Sequence, residues 1–203
     1  ASLWLPEGEQ ALAYLRQRGF AAETIRAARL GYIHDDRHEA PDLWGLPSGS
    51  GPVWLPRGIS IPWRACGSLW RLNVRRPNGT PKYCGPAGSA NGLYGVDGLA
   101  RGLPVVLCEG EFDALAVAQE VGDLVTAVAT GSTCGGRHRR WTRLLAAAPI
   151  VLVAYDADDA GEQAASWWLD ALSGSRRLVP VDDPAGMLKA GADVRSWVIS
   201  NLA

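Results

Sequence analysis

A chain of 203 residues, 47% of them apolar, can bury the core of one large domain or two small ones. Its net charge is −1, no uninterrupted apolar run approaches the roughly 18 residues that suggest a membrane span, and the opening Ala-Ser-Leu-Trp-Leu-Pro-Glu has no basic leader. Membrane insertion and secretion are therefore not expected, and the chain reads as cytoplasmic; it opens at Ala1 rather than Met, as an excised fragment would. Cys66, Cys84, Cys108 and Cys134 form no C-x-x-C pair, so reduced thiols are expected, and no zinc.

The near-neutral total hides a polarity. Residues 51–100 carry six Arg or Lys and one acid, Asp97, whereas residues 101–203 carry nine basic and thirteen acidic residues. A basic segment joined to an acidic one suits a protein that grips an anion with the first and places metal with the second.

In chain order, apolar residues at helical spacing predict a helix over 8–18, stopped by Gly19, and a second over 22–29, closed by Gly31. Gly, Pro and Trp44 over 41–56 indicate loop and an edge strand. Residues 59–63, 68–76 and a short piece near Tyr83 predict an antiparallel sheet, with Asn78-Gly79 as the strongest hairpin signal. Alternation along 70–75 places Trp70, Leu72 and Val74 on a packing face and Arg71, Asn73 and Arg75 on the opposite one. With Lys82 and Tyr83 returning beside it, the second face reads as an anion-binding surface.

From Leu103 the pattern becomes βα alternation: strands at 103–108, 124–129, 149–155 and 177–181, helices at 112–121, 137–147 and 161–172, and a last helix over 194–201 capped by Asp193. The fold class is α/β, a mixed basic subdomain over 1–100 followed by a parallel-sheet subdomain over 101–203. The apolar strand 103–108 ends at Glu109-Gly110, and 149–155 ends at Asp156-Ala157-Asp158. Ligands of such sheets bind beyond the carboxyl ends of the strands, so the two acidic groups should meet there.

Glu109, Asp113, Asp156, Asp158 and Asp183 form the candidate metal set. Two carboxylates about 4 Å apart repel by about 4 kcal/mol at an effective dielectric near 20, a cost that a cation removes. Hard oxygen donors without His or Cys select Mg2+ or Mn2+. The competing reading makes Asp156 and Asp158 turn residues and Glu109 an acid at a helix start.

Other features are weaker. His34 and His38 are four residues apart with no third ligand in view, and Arg137, Arg139, Arg140 and Arg143 suit either a phosphate backbone or a solvated helix face. Gly131 to Gly136 is glycine-rich without the phosphate-loop lysine. Trp70, Trp167 and Trp168 are expected in cores rather than as base-stacking platforms.

The run Glu109-Gly-Glu-Phe-Asp113-Ala-Leu with Asp156-Ala-Asp158-Asp-Ala-Gly161 resembles the TOPRIM signature. Upstream, Gly58-Ile-Ser-Ile-Pro-Trp, Leu72-Asn-Val-Arg-Arg-Pro-Asn-Gly, Pro81-Lys82-Tyr83 and Gly92-Leu-Tyr-Gly95 are similar in order and spacing to the catalytic core of bacterial and phage-type DNA primases. The resemblance covers nearly the whole chain. It implies metal-dependent, template-directed synthesis of short RNA primers on single-stranded DNA from nucleoside triphosphates. By it Glu109, Asp156 and Asp158 match the metal-holding residues, Asp113 a further motif acid, and Arg71, Arg75, Arg76, Lys82 and Tyr83 fall where template or nucleotide is met. One departure stands out: in Asp182-Asp183-Pro184-Ala185-Gly186, Asp183 matches the first of two family acids and Ala185 stands in place of the second. The zinc-binding domain that precedes such cores and a helicase-binding domain after them are not in the sequence, so a replicative helicase would be met through those domains. The rivals are a TOPRIM nuclease and a catalytically degenerate module that binds single-stranded DNA.

Overall fold

The computed structural model describes residues 2–47, 49–180 and 182–202. Two short helices open the chain, α1 (Glu9–Gln17) and α2 (Ala22–Ala27), each turning its apolar side inward: Ala11 and Leu15 from the first, Ile25 from the second. The expected stop of α2 at Gly31 is corrected. The left-handed residue after this helix is Arg29 (φ 53°), and Gly31 instead opens a strand opposite Ser60.

Strands β1 (Gly31–Ile33), β2 (Arg37–Glu39), β3 (Val53–Leu55), β4 (Gly58–Ala65), β5 (Ser68–Arg75) and β6 (Tyr83–Cys84) follow. An antiparallel sheet takes the order β1-β4-β5-β6, while β2 and β3 pair as a separate ribbon. The tight hairpin is not at Asn78-Gly79, which lies in the longer connection between β5 and β6. It is at Cys66-Gly67, whose φ values of 52° and 74° give the two left-handed positions that a two-residue turn between twisted strands requires. The reason is a distant partner: the Asp97 carboxylate accepts from the backbone N–H of Cys66 (2.6 Å) and of Gly67 (3.0 Å).

The second half alternates as its sequence pattern predicts: β7 (Val105–Cys108), α3 (Glu111–Val121), β8 (Thr126–Ala129), α4 (Arg139–Leu145), β9 (Val151–Ala154), α5 (Asp159–Ala171) and β10 (Arg176–Arg177). The sheet runs β8-β7-β9-β10 with every pairing parallel. Strand β10 is only two residues long, and Val181, the end of the strand expected there, lies outside the described residues. Two helices close the chain, α6 (Pro184–Lys189) and α7 (Val194–Ile199). Helix α6 was not foreseen, although Asp183 at its N-cap and Pro184 at its first position are a legible start signal.

Strand β7 is buried along its whole length, which is why it reads as an unbroken apolar run. Val106 and Cys108 pack with α3 in a cluster that also takes in Leu15, Ile25, Ile59, Ile61 and Trp63, so one core crosses between the two halves of the chain. Val105 and Leu107 face the other way, toward Trp141, Leu145, Ala165 and Trp168. Trp168 is thus a core residue as expected and Trp167 packs partly against that cluster, but Trp70 keeps 38% of its surface in solvent. Among the described residues no helix is long and apolar enough to cross a membrane.

Candidate active site

Parallel strands bring their following loops to one edge, and here the loops after β7, β8 and β9 face the return of the antiparallel sheet. The cleft between them, about 230 Å³, is lined on the acidic side by Glu109, Asp113, Asp156 and Asp183 and on the basic side by Arg18, Arg75 and Lys82, with Tyr83 beside them. Of the residues singled out in the sequence, Glu109, Asp113, Asp156, Asp183, Arg75, Lys82 and Tyr83 therefore meet in one place. Asp158 stands just outside, close enough to act electrostatically on Glu109 and Asp156. Arg71 and Arg76 do not join the cleft. Arg71 donates from Nε to Asn73 Oδ1 (2.8 Å) and lies over the Trp63 ring, and Arg76 lies over Trp54. The polar face of β5 is thus no open anion-binding surface along its length, because Asn73 in its middle is buried against α3.

The acids differ in what they have left to give. Glu109 and Asp156 make no side-chain hydrogen bond with the described residues. Asp158 caps α5 and Asp183 caps α6, each accepting with Oδ1 from a backbone N–H at 2.7 Å, from Gly161 and Gly186 respectively; this leaves Asp158 Oδ2 free, while the Asp183 carboxyl also shares a hydrogen bond with that of Asp113. Asp113 is committed on both oxygens, Oδ2 to the N–H of Gly110 and Oδ1 to the N–H of Ala185, each at 3.2 Å. Of the competing reading, Asp158 does sit at a turn, as the N-cap of α5, and Glu109 directly precedes the N-cap of α3; Asp113 and Asp183, for which that reading made no claim, also bond helix-start backbone while lining the cleft. Ala185, where the second family acid would stand, is fully buried, so it fills core space and presents no ligand.

Burial, and then mutual repulsion, raise the pKa of three of these carboxyl groups. Burial, then the charges of Asp156 and Asp158, push Glu109 up to about 7. Burial and then Asp183 push Asp113 well above the ordinary carboxylate range, and burial followed by Asp183 and Asp158 raises Asp156. On the other wall, burial and the neighbouring guanidinium groups of Arg75 and Arg18 lower Lys82. A divalent cation relieves the acidic side, and the carboxylate oxygens of Glu109, Asp156, Asp158 and Asp183 are hard donors that fit Mg2+ or Mn2+. Among the described residues no three His, Cys, Asp or Glu side chains already stand at the spacing of a metal centre, so a bound cation would draw these oxygens together. His34 pairs with Asp35 at 3.2 Å, and His38 lies on β2.

Two supporting residues, Arg18 and Glu111, were not singled out beforehand. Arg18 lies over Phe112 and reaches 3.9 Å from Asp183. Arg75 lies over Tyr14 and Phe112, so aromatic faces fix both guanidinium groups. Glu111, 2% exposed, accepts with Oε1 from Trp63 Nε1 (2.9 Å) and from Asn73 Nδ2 (2.5 Å), clasping β4 and β5 to α3 directly behind Glu109 and Asp113. Its signal was available: Glu111 is the one charged residue on a face otherwise formed by Ala114, Leu115 and Ala118. Gly131 completes the wall at φ 76°, where a β-carbon would stand 2.7 Å from the Trp63 ring.

Residues 106–186 match a family model described as Toprim-like. A curated relative from Deinococcus radiodurans, named DNA primase, is 29% identical over 218 residues, an overlap of 90% of this chain and 38% of the relative. The chain thus spans about two fifths of that relative's length. The RNA polymerase domain of Mycobacterium tuberculosis primase DnaG, solved with a double-stranded DNA oligomer bearing a 6-nucleotide overhang, superposes with a TM-score of 0.76 at 23% identity, covering 98% of this chain and 75% of that one. A DNA primase domain from Pseudomonas aeruginosa gives 0.75 at 23% identity over 98% and 74%.

Proposed function

We infer that this chain, which carries a Toprim-like domain within the fold of bacterial primase catalytic cores, is a primase core that makes short RNA primers on single-stranded DNA. The observation that carries the reading is the cleft in which Glu109, Asp156 and Asp183 face Arg18, Arg75 and Lys82. Phosphoryl transfer asks a protein mainly to position its substrates and to neutralise their charge. A cleft with one acidic and one basic wall does both.

In this account residues 1–100 supply the basic wall and 101–203 the acidic one, in a cytoplasmic protein that meets any helicase through other domains. Lys82, Arg75 and Arg18 bind the triphosphate or template phosphates, and the stacked guanidinium groups hold their direction without waiting for substrate. Glu109, Asp156, Asp158 and Asp183 would hold Mg2+ or Mn2+, which supplies Lewis-acid polarisation of the attacking 3′-hydroxyl and neutralises the leaving pyrophosphate. Asp113 acts at one remove. With both oxygens bonded to backbone it fixes the loop after β7 against the start of α6, and so sets the distance between Glu109 and Asp183.

The reading is tested by incubating the protein with single-stranded DNA, labelled nucleoside triphosphates and Mg2+ or Mn2+. Short RNA products that require template and cation are expected. Template cleavage without synthesis would assign the same acids to a nuclease, and DNA binding with neither activity would leave a binding module.

A further inference from the structure

We propose that the outward face of α4, together with the exposed ring of Trp70 at the start of β5, is a second binding surface for single-stranded nucleic acid, outside the catalytic cleft. The proposal extends the reading above and rests on it for the class of partner. The surface is a shallow groove of about 680 Å³ lined by Arg139, Arg140, Arg143, Leu144, His138 and Cys66. Arg139, Arg140 and Arg143 take part in none of the ion pairs among the described residues. Asp97 is the nearby acid, and its two oxygens are occupied by the backbone of Cys66 and Gly67.

A merely solvated helix face would leave its arginines unheld and its surroundings polar, whereas here Arg140 is held and apolar surface lies beside the charges. The Arg140 guanidinium lies 5.2 Å from the Trp70 ring centre and 4.8 Å from that of Trp141, and the two rings meet edge to face at 5.9 Å. Trp70 is itself held, donating from Nε1 to the Asn91 carbonyl (3.0 Å), while Asn91 Oδ1 accepts from the Gly136 N–H (2.9 Å). Exposed apolar area lies beside the charges, from Trp70 and Leu144. Unpaired guanidinium groups beside aromatic and aliphatic surface suit a single strand, whose phosphates meet the charges while its bases find a ring face. Trp70 adjoins Arg71 on the strand that ends at Arg75 in the cleft, so one strand, β5, links the two surfaces.

The test is fluorescence anisotropy of a labelled single-stranded oligonucleotide across a salt series, with wild type and Arg139→Ala/Arg140→Ala/Arg143→Ala. Three lost phosphate contacts should reduce the magnitude of the log–log salt slope by about 2 and weaken binding about tenfold at low salt, whereas the triple Lys variant should keep most of both. An unchanged slope and affinity in the Ala variant would overturn the proposal, as would a wild type that does not bind single strands. A photo-crosslinking residue in place of Leu144 gives a second measurement that leaves the arginines intact; labelled DNA should attach there, and no attachment would equally overturn it. Primer synthesis is scored separately. A wild type that binds DNA through this surface yet makes no primer would sink the function proposed above and leave the surface standing, and a Ala variant that binds normally would do the reverse.

Discussion

Replacing Glu111 should separate a charge from a hydrogen-bond acceptor. Both of its hydrogen bonds arrive at Oε1, from Trp63 and from Asn73, all three residues being buried. Glu111→Ala strands the indole N–H and the Asn73 amide where water does not reach, at about 1–3 kcal/mol each, and opens a small cavity, for a total of about 3–5 kcal/mol. It also removes the charge that offsets the burial of Arg71. Glu111→Gln keeps an oxygen in place for both donors and loses only the charge-assisted part, about 1 kcal/mol. Urea unfolding followed by tryptophan fluorescence measures both, and thermal melts should show the Ala variant lower by roughly 10 °C. An Ala variant within 1 kcal/mol of wild type, or a Gln variant as unstable as Ala, would refute the clasp.

Three further outcomes follow from the same geometry. Because Glu109 has a folded pKa of about 7 against 4.5, its favourable contribution is complete below pH 4.5 and is lost as pH rises through 7; Asp113 and Asp156 shift in the same direction. The metal-free protein should therefore lose stability between about pH 4.5 and 7, by on the order of 1–2 kcal/mol for Glu109 after discounting its half exposure, and Mg2+ or Mn2+ should raise the melting temperature most at the upper end. The depressed acids Asp123, Asp193 and Glu162 have completed their opposite effect by pH 4.5, so flat metal-free melts across the window would contradict this. Asp158→Asn should keep the α5 cap, with stability within about 0.5 kcal/mol of wild type, while lowering cation affinity, whereas Asp158→Ala should lose about 1 kcal/mol as well; calorimetric cation titrations beside urea melts separate the two. Gly131→Ala should destabilise by about 1–3 kcal/mol, through its left-handed φ and its approach to Trp63, and a neutral urea midpoint would contradict the close packing.

Much of this arrangement is legible in the chain because it is locally encoded. The strand from Val105 to Cys108 announces itself by burial on both faces, and βα alternation alone brings Glu109 and Asp156 to one edge. What escapes is set by contacts distant in sequence. Cys66-Gly67 takes the tight turn because Asp97 binds it, and Asn73 is drawn inward by Glu111 although alternation marks its face as polar. Trp70 leaves the core for an edge-to-face contact with Trp141 on an element nearly seventy residues later, which periodicity along β5 does not register. Helix α6 is the opposite case: Asp183-Pro184 is a local start signal, read instead as part of an acidic motif.

The central claim is that the two walls of the cleft serve one reaction, and the most direct measurement is primer synthesis by Asp156→Asn and Lys82→Ala beside wild type, each first shown to be folded. Removing the acid, or the charge opposite it, should cut synthesis on the order of 10²–10³-fold, while binding of single-stranded DNA through the α4 surface persists in Asp156→Asn. Undiminished synthesis in Asp156→Asn would place the chemistry elsewhere and contradict the account.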